Sequence, residues 1–153
     1  MGNIKRKPAD PAALLKRMAG LCAKSEQCTS DINLKLYKAG LPKEKREEIV
    51  EYLTENRYLD DARFARSFAS YKVRFSSWGK RKIRMALAAK RISPQFIGEA
   101  LDAIDEEDYE AALKRAVEAG KKDLDPSDRE QRIKLFRRLL ARGFESDLIG
   151  RMI

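Results

Sequence analysis

The chain has 153 residues, a formal net charge of +9 at neutral pH and no histidine. At this length we expect one domain, or a few small repeats acting as one, without a large catalytic cleft. The charge indicates an acidic partner such as nucleic acid, an anionic protein surface or a membrane. Alanine is abundant while valine and threonine are scarce, which favours helix over strand and predicts an all-α protein.

Three similar stretches, at 32–41, 83–92 and 135–144, indicate an internal repeat. Each has apolar residues at its first, fifth and tenth positions. A unit this short cannot bury its apolar face alone, so stacked copies must share a core. We therefore predict tandem three-helix repeats, three units that form an elongated, curved array. The predicted divisions are a flexible N-terminal tail at 1–11, then repeats at 12–57, 58–104 and 105–153.

The first predicted repeat contains three helices. Apolar spacings of three and four residues predict the first helix over 12–24. Capping oxygens at 29–31 open the second helix, which ends at Gly40. Pro42 fits the first turn of the third helix, which continues through Leu53.

The second predicted repeat begins with an aromatic stripe. Asp60 or Asp61 can cap its first helix. The aromatic residues of that helix follow at spacings of four, three and four: Phe64, Phe68, Tyr71 and Phe75. This spacing matches a buried helix face, so we predict that the stripe belongs to the core. Ser93 then caps the last helix of the repeat.

The helix boundaries of the third predicted repeat are marked by capping residues. Its acidic residues at 105–108 suit the positive end of a helix. Residues 127–130 read as a capping box for the next helix, and Gly143 ends that helix in a left-handed cap.

No segment of the sequence indicates export or membrane insertion. The N-terminus, MGNIKRKPADP, is basic but has no apolar region after it, and no run reaches transmembrane length. Cys22 and Cys28 lack metal-ligand or redox spacing, which predicts reduced thiols in or beside a core helix. We therefore expect a cytoplasmic protein.

Three phrases carry a family resemblance. They are Tyr58-Leu-Asp-Asp-Ala-Arg-Phe-Ala65, then Ile83-x-x-x-Leu87 followed by Ala89-Lys-Arg-Ile-Ser93, and Arg142-Gly-Phe144. From about residue 12 to the C-terminus the chain resembles the bacterial RecX family. The resemblance implies tandem three-helix repeats. It also implies regulation of the RecA recombinase, usually by binding RecA filaments on single-stranded DNA and suppressing their activity.

One departure from the family pattern lies at Arg91, where relatives commonly have glycine. An arginine in a left-handed cap costs roughly 1 kcal/mol relative to glycine. Either the helix ends differently in this chain or Arg91 makes a contact.

Candidate binding residues concentrate in the second repeat, where 63–98 hold ten Lys or Arg and no Asp or Glu. A solvated face that serves solubility normally mixes both signs, so this cluster indicates binding to phosphates or to an acidic protein groove. The candidates are Lys72, Arg74, Lys80, Arg81, Arg84 and Arg91. Trp78 could stack a nucleobase, anchor a protein interface or fill a helix junction. A second candidate group, Arg137, Arg138 and Arg142, has acidic neighbours that could neutralise it.

These observations predict a monomeric regulator rather than an enzyme, without cofactor or metal. The resemblance implies that its partner is the RecA filament, with single-stranded DNA as a second candidate, and that it lowers ATP hydrolysis and strand exchange in recombination and repair. The alternative is a basic DNA- or RNA-binding module that acts without RecA. A metal nuclease is disfavoured because the carboxylates at 60–61 and 105–108 fall at predicted helix starts.

Overall fold

The structure is a computed structural model, and it describes residues 9–153. Within this range the secondary structure is helical, without strands, which confirms the predicted all-α class. The helices of the described part are α1 (Pro11–Lys24), α2 (Thr29–Lys38), α3 (Lys43–Glu55), α4 (Asp61–Ser76), α5 (Lys80–Ala89), α6 (Pro94–Asp102), α7 (Glu106–Lys121), α8 (Arg129–Ala141) and α9 (Ser146–Met152). No helix in 9–153 is long and apolar enough to cross a membrane.

Most of the predicted tail lies outside the described residues, because the structure describes nothing before Ala9. From there the chain enters α1 at Pro11. The Oδ1 atom of Asp10 accepts a hydrogen bond from the Ala12 N–H at 3.1 Å and so caps the helix.

The chain divides into two compact units between Phe64 and Ala65. In the first unit, α3 packs on both α1 and α2. Its core is an aliphatic cluster: Leu14, Met18, Ile32, Leu36, Leu41, Ile49, Leu53 and Leu59. In the second unit, α5 packs on α6, and α8 packs on both α7 and α9.

The three repeat helices α2, α5 and α8 end in the same geometry. In each copy the tenth residue of the phrase donates its N–H to the carbonyl of the fifth, at 3.1, 3.2 and 3.3 Å. The ninth residue of each phrase has a positive φ, which is 86° at Gly40, 59° at Arg91 and 97° at Gly143. All nine apolar positions of the phrase are buried. The repeat is therefore confirmed in its core and in its caps, and Arg91 adopts the left-handed conformation that the other copies give to glycine.

The aspartates at 60 and 61 each serve a helix start. Asp60 Oδ1 accepts from the Arg63 N–H at 3.0 Å, which confirms the predicted cap of α4. The predicted capping oxygens of α2 at 29–31 are wrong, because Cys28 is the N-cap and no side-chain bond forms from it. Instead, the Thr29 N–H donates to Asp61 Oδ1 at 2.8 Å, from 32 residues further along the chain.

Two more predicted caps have different outcomes. Ser93 is confirmed, since its Oγ accepts from the Phe96 N–H at 3.3 Å. The capping box at 127–130 is wrong: the N-cap of α8 is Asp128, without a side-chain capping bond. Ser127 instead donates its hydroxyl to Asp125 Oδ1 at 2.7 Å, because a serine and an aspartate this close form a local turn that competes with the cap.

The aromatic stripe of α4 is not the core face that its spacing predicted. Phe64 is buried, but Tyr71 is 57% exposed and Phe75 is 70% exposed. The buried face is instead made of small residues, Ala65, Ala69 and Val73. On a wheel of 3.6 residues per turn these lie about 130° from the centre of the stripe. The exposed part of the stripe is therefore Tyr71 and Phe75, whereas Phe64 is buried and Phe68 is half-buried.

Candidate nucleic-acid interface

Aromatic and basic side chains meet at the end of α4 and the start of α5. We call this region the basic aromatic surface, and it lies entirely in the second compact unit. Its members are Phe68, Tyr71, Lys72, Arg74, Phe75, Trp78 and Lys82. The α4 register turns the small-residue face inward and leaves Tyr71 and Phe75 exposed, while Phe68 is half-buried.

The rings of this surface form two pairs. Tyr71 and Phe75 have centroids 5.0 Å apart with planes inclined by 39°, and both rings are exposed. Phe68 and Trp78 meet edge to face, with centroids 6.3 Å apart. Trp78 is half-buried, so it is both packed against a neighbour and partly accessible.

Cations lie over these rings. Lys72 Nζ is 4.4 Å from the Trp78 centroid, and Lys82 Nζ is also 4.4 Å from it. The guanidinium of Arg74 lies 5.9 Å from the Phe75 centroid, and its Nε lies 3.8 Å from a carboxylate oxygen of Asp108. Cation–π contacts at exposed sites contribute about 0.5–1 kcal/mol, enough to bias side-chain positions without preventing rearrangement around a ligand.

Two arginines fix the end of α4. Arg115, on α7, donates Nη2 hydrogen bonds to the Val73 and Arg74 carbonyls at 3.0 and 3.1 Å. Arg142, just after α8, donates from Nη1 to the Ser76 carbonyl at 3.0 Å. These carbonyls are the acceptors that a helix leaves unpaired at its C-terminus, and cations are favourable there. The predicted contact residue Arg142 therefore holds the end of the helix that carries the basic aromatic surface.

The start of α5 is also fixed by neighbours in the second unit. The Lys80 N–H donates to the Tyr109 hydroxyl at 3.0 Å, and that hydroxyl donates to Glu145 Oε2 at 2.7 Å. Burial, together with the bond to Glu145, raises the pKa of Tyr109. The Arg81 N–H donates to the Gly143 carbonyl at 3.1 Å. Because these N–H groups already have acceptors, an anion would meet the side chains of α5 rather than its N-terminal backbone.

The remaining candidates take up three kinds of position. Exposed side chains on or just after α5 belong to Arg81, Arg84 and Arg91. On α8, Arg137 is exposed as well. Lys80 Nζ lies 5.0 Å from the Tyr109 centroid, which places it beside the buried hydroxyl network.

Arg138 is engaged within the chain, because its Nη1 contacts both oxygens of Asp123, at 2.9 and 3.1 Å. This hydrogen-bonded ion pair lowers the pKa of Asp123. The acidic neighbour foreseen for this group is thus present for Arg138, and a partner would have to compete with it.

The carboxylate clusters do not form a metal site in the described residues. No group of three metal-ligating side chains meets anywhere in 9–153. Asp60 and Asp61 accept the capping bonds described above, and Asp105 Oδ1 accepts from the Asp108 N–H at 2.9 Å at the start of α7.

Five contributors to this region were not predicted as binding or positioning residues. Three of them were assigned to the core from the sequence, Phe68, Tyr71 and Phe75, while Lys82 and Arg115 were not singled out. A signal for the rings was present in the sequence, because Ala65, Ala69 and Val73 form a second apolar line at spacings of four. No local signal marks Arg115, whose contacts depend on tertiary packing.

Comparison with known proteins places the chain in a family. A family model for the second three-helix domain of RecX matches residues 60–101, and a model for the third three-helix domain of RecX matches residues 105–153. This chain belongs to the RecX family. The predicted resemblance is confirmed, and the family is one of regulatory proteins rather than enzymes.

Individual RecX proteins match over most of the chain. The regulatory protein RecX of Pseudomonas fluorescens is 30% identical over 94% of this chain and 92% of its own length. That of Lactobacillus johnsonii is also 30% identical, over 95% of this chain but only 54% of its own length. The crystal structure of RecX from Lactobacillus salivarius superposes with a TM-score of 0.79, covering 92% of each chain at 18% identity. That similarity shows a shared fold.

Proposed function

We propose that this chain regulates the RecA recombinase by binding RecA filaments on single-stranded DNA and suppressing ATP hydrolysis and strand exchange. Membership of the RecX family supports the proposal, and the basic aromatic surface is the observation that carries it. A regulator of a nucleoprotein filament has to recognise an anionic, extended partner. The stretch 63–98 has ten cations and no anion, and it includes the exposed rings of Tyr71 and Phe75, so it is suited to that task.

The test measures ATP hydrolysis and strand exchange by RecA on single-stranded DNA, with this protein added below stoichiometry. We expect both rates to fall. A Lys72→Glu/Lys82→Glu variant should lose at least tenfold in potency, because it reverses the cations over Trp78. The matched control is Lys16→Glu/Arg17→Glu, which makes the same charge change at exposed positions of α1 and should keep its potency. Absence of any effect of the unmodified protein on RecA would refute the proposal.

The exposed rings also favour a second candidate function, a DNA- or RNA-binding module that acts without a recombinase. It predicts binding whose affinity falls steeply with salt and is largely lost in a Lys80→Ala/Arg81→Ala/Arg84→Ala variant. Retention on RecA filaments at a salt concentration that abolishes binding to bare DNA would count against this candidate and for the recombinase.

A further inference from the structure

We propose that Tyr71 and Phe75 form a stacking platform for unpaired nucleobases, so that the chain binds single-stranded nucleic acid directly and in preference to duplex. The inference deepens the proposed function and rests on it. The proposed function by itself requires only contact with a RecA filament.

The first argument is the exposure of the two rings. Phe75 is 70% exposed and Tyr71 is 57% exposed, although the small-residue face of the same helix is fully buried. Their centroids are 5.0 Å apart, a separation at which aromatic rings interact favourably. Two adjacent rings that remain in water and still keep each other's orientation present a preformed aromatic face to a ligand. Little side-chain entropy would be lost when a planar group binds there.

The second argument is the chemistry around the rings. Lys72 and Arg74 lie next to them in sequence, and 63–98 contain no carboxylate side chain. The carboxylate that reaches Arg74 comes from Asp108 of α7, at 3.8 Å, and both side chains of that pair remain accessible to solvent. Protein–protein interfaces are enriched in aromatic residues and arginine but depleted of lysine, whereas single-strand binding surfaces combine a basic track with rings on which bases stack. The observations therefore favour nucleic acid over a protein partner at this position.

The third argument concerns Trp78, the ring that sequence reasoning singled out for stacking. Lys72 and Lys82 both lie over its ring, and Phe68 packs against it. A base that stacks on Trp78 would have to compete with these lysines for the ring. Tyr71 and Phe75 carry the platform, and the lysines beside Trp78 are placed to meet the phosphates.

Preference for single strands follows from the same geometry. In a duplex the base faces are already stacked on one another, so a ring at the protein surface can meet only phosphates and groove edges. An unpaired base offers its face, and every base has one. Binding should therefore depend on strandedness and little on sequence.

The test is fluorescence anisotropy with a labelled oligothymidine of about 15 nucleotides, within the range of single-strand site sizes, and with a duplex of equal length. A Tyr71→Leu/Phe75→Leu variant keeps apolar side chains but removes both rings. We expect it to lose at least tenfold in affinity for the single strand and to keep its affinity for the duplex. The dependence of log K on log salt should keep its slope, because no cation is removed. The control Tyr71→Phe retains the ring and should bind like the unmodified protein.

A second measurement does not depend on variants. An oligonucleotide with 2-aminopurine should lose fluorescence when the unmodified protein binds, because stacking on the rings quenches the base. An unquenched probe in a saturated complex would overturn the inference, as would failure of the unmodified protein to bind the single strand. It would also be overturned by equal single-strand affinity of the double variant, by a parallel loss on duplex, or by a loss confined to RecA filaments.

The anisotropy and quenching measurements contain no RecA. RecA enters only the last outcome, for which retention of the Tyr71→Leu/Phe75→Leu variant on RecA filaments is compared with its affinity for the bare single strand. Failure of the platform is therefore distinguishable from failure of the proposed function. A protein that suppresses RecA but binds bases without stacking would sink only the inference, whereas one that stacks bases but leaves RecA unaffected would sink only the function.

Discussion

Replacing Arg91 with glycine should stabilise the protein and weaken its binding to nucleic acid at the same time. Arg91 has a φ of 59°, a conformation that costs a non-glycine residue about 1–2 kcal/mol. Glycine removes this cost, but it also lowers the free energy of unfolding by about 0.5–1 kcal/mol, because the unfolded chain gains conformational entropy. The expected net gain in the free energy of unfolding is about 0.5–1 kcal/mol. For a chain of this size that raises Tm by about 1–4 °C.

The assay pairs urea denaturation with a salt titration of single-strand binding. Arg91→Gly removes one cation from an exposed position beside α5, so the slope of log K against log salt should become shallower by about 0.7. Arg91→Lys is the control, because it keeps both the charge and the backbone cost and should change neither quantity. If Arg91→Gly unfolds at the same urea concentration as Arg91→Lys, the strain argument is refuted. An unchanged salt slope would refute the contact.

Two further predictions concern the residues that hold the basic aromatic surface in place. Arg142→Ala removes the donor to the Ser76 carbonyl and should lower the free energy of unfolding by about 1.5–3 kcal/mol, the range for hydrogen bonds to charged groups. Urea denaturation beside Arg142→Gln, which keeps a donor, measures the effect, and equal stability of Arg142→Ala and the unmodified protein would contradict it. Tyr109→Phe tests the pH dependence. The folded pKa of Tyr109 is raised, so its contribution to stability is complete below the unfolded pKa of about 10 and is lost as the pH rises through the folded value. The unmodified protein should therefore lose stability more steeply above pH 10 than Tyr109→Phe, and parallel stability curves would exclude the linkage.

The repeat was predictable because its information is local. Apolar residues at the first, fifth and tenth positions of each phrase report one buried helix side and the capping turn after it, and they need no knowledge of what packs against them. All nine are buried. The left-handed caps at Gly40 and Gly143 could be predicted for the same reason, because glycine is the residue that most often adopts the left-handed conformation at a helix end.

The candidate site was less predictable because helix spacing does not say which of two apolar lines faces the core. In α4 the line of larger residues was assigned to the interior. The fully buried line is instead Ala65, Ala69 and Val73, whose identity depends on the tertiary packing of α4. Two contacts join residues more than thirty positions apart: Asp61 accepts from the first turn of α2, and Arg115 donates to the carbonyls at the end of α4. Local sequence patterns cannot predict such contacts.

The turn at Gly143 packs so closely against the start of α5 that the residue at this position has to be glycine. Its backbone lies against the start of α5: the Gly79 N–H donates to the Arg142 carbonyl at 2.8 Å, and a Cβ added at Gly143 would collide with the Lys82 backbone nitrogen. The corresponding position in the middle copy is Arg91, which carries that Cβ. A duplicate of the middle copy thus could not occupy the place of the last one without breaking this contact. In an array of interchangeable units any copy could stand at this joint, whereas here the joint requires glycine at position 143.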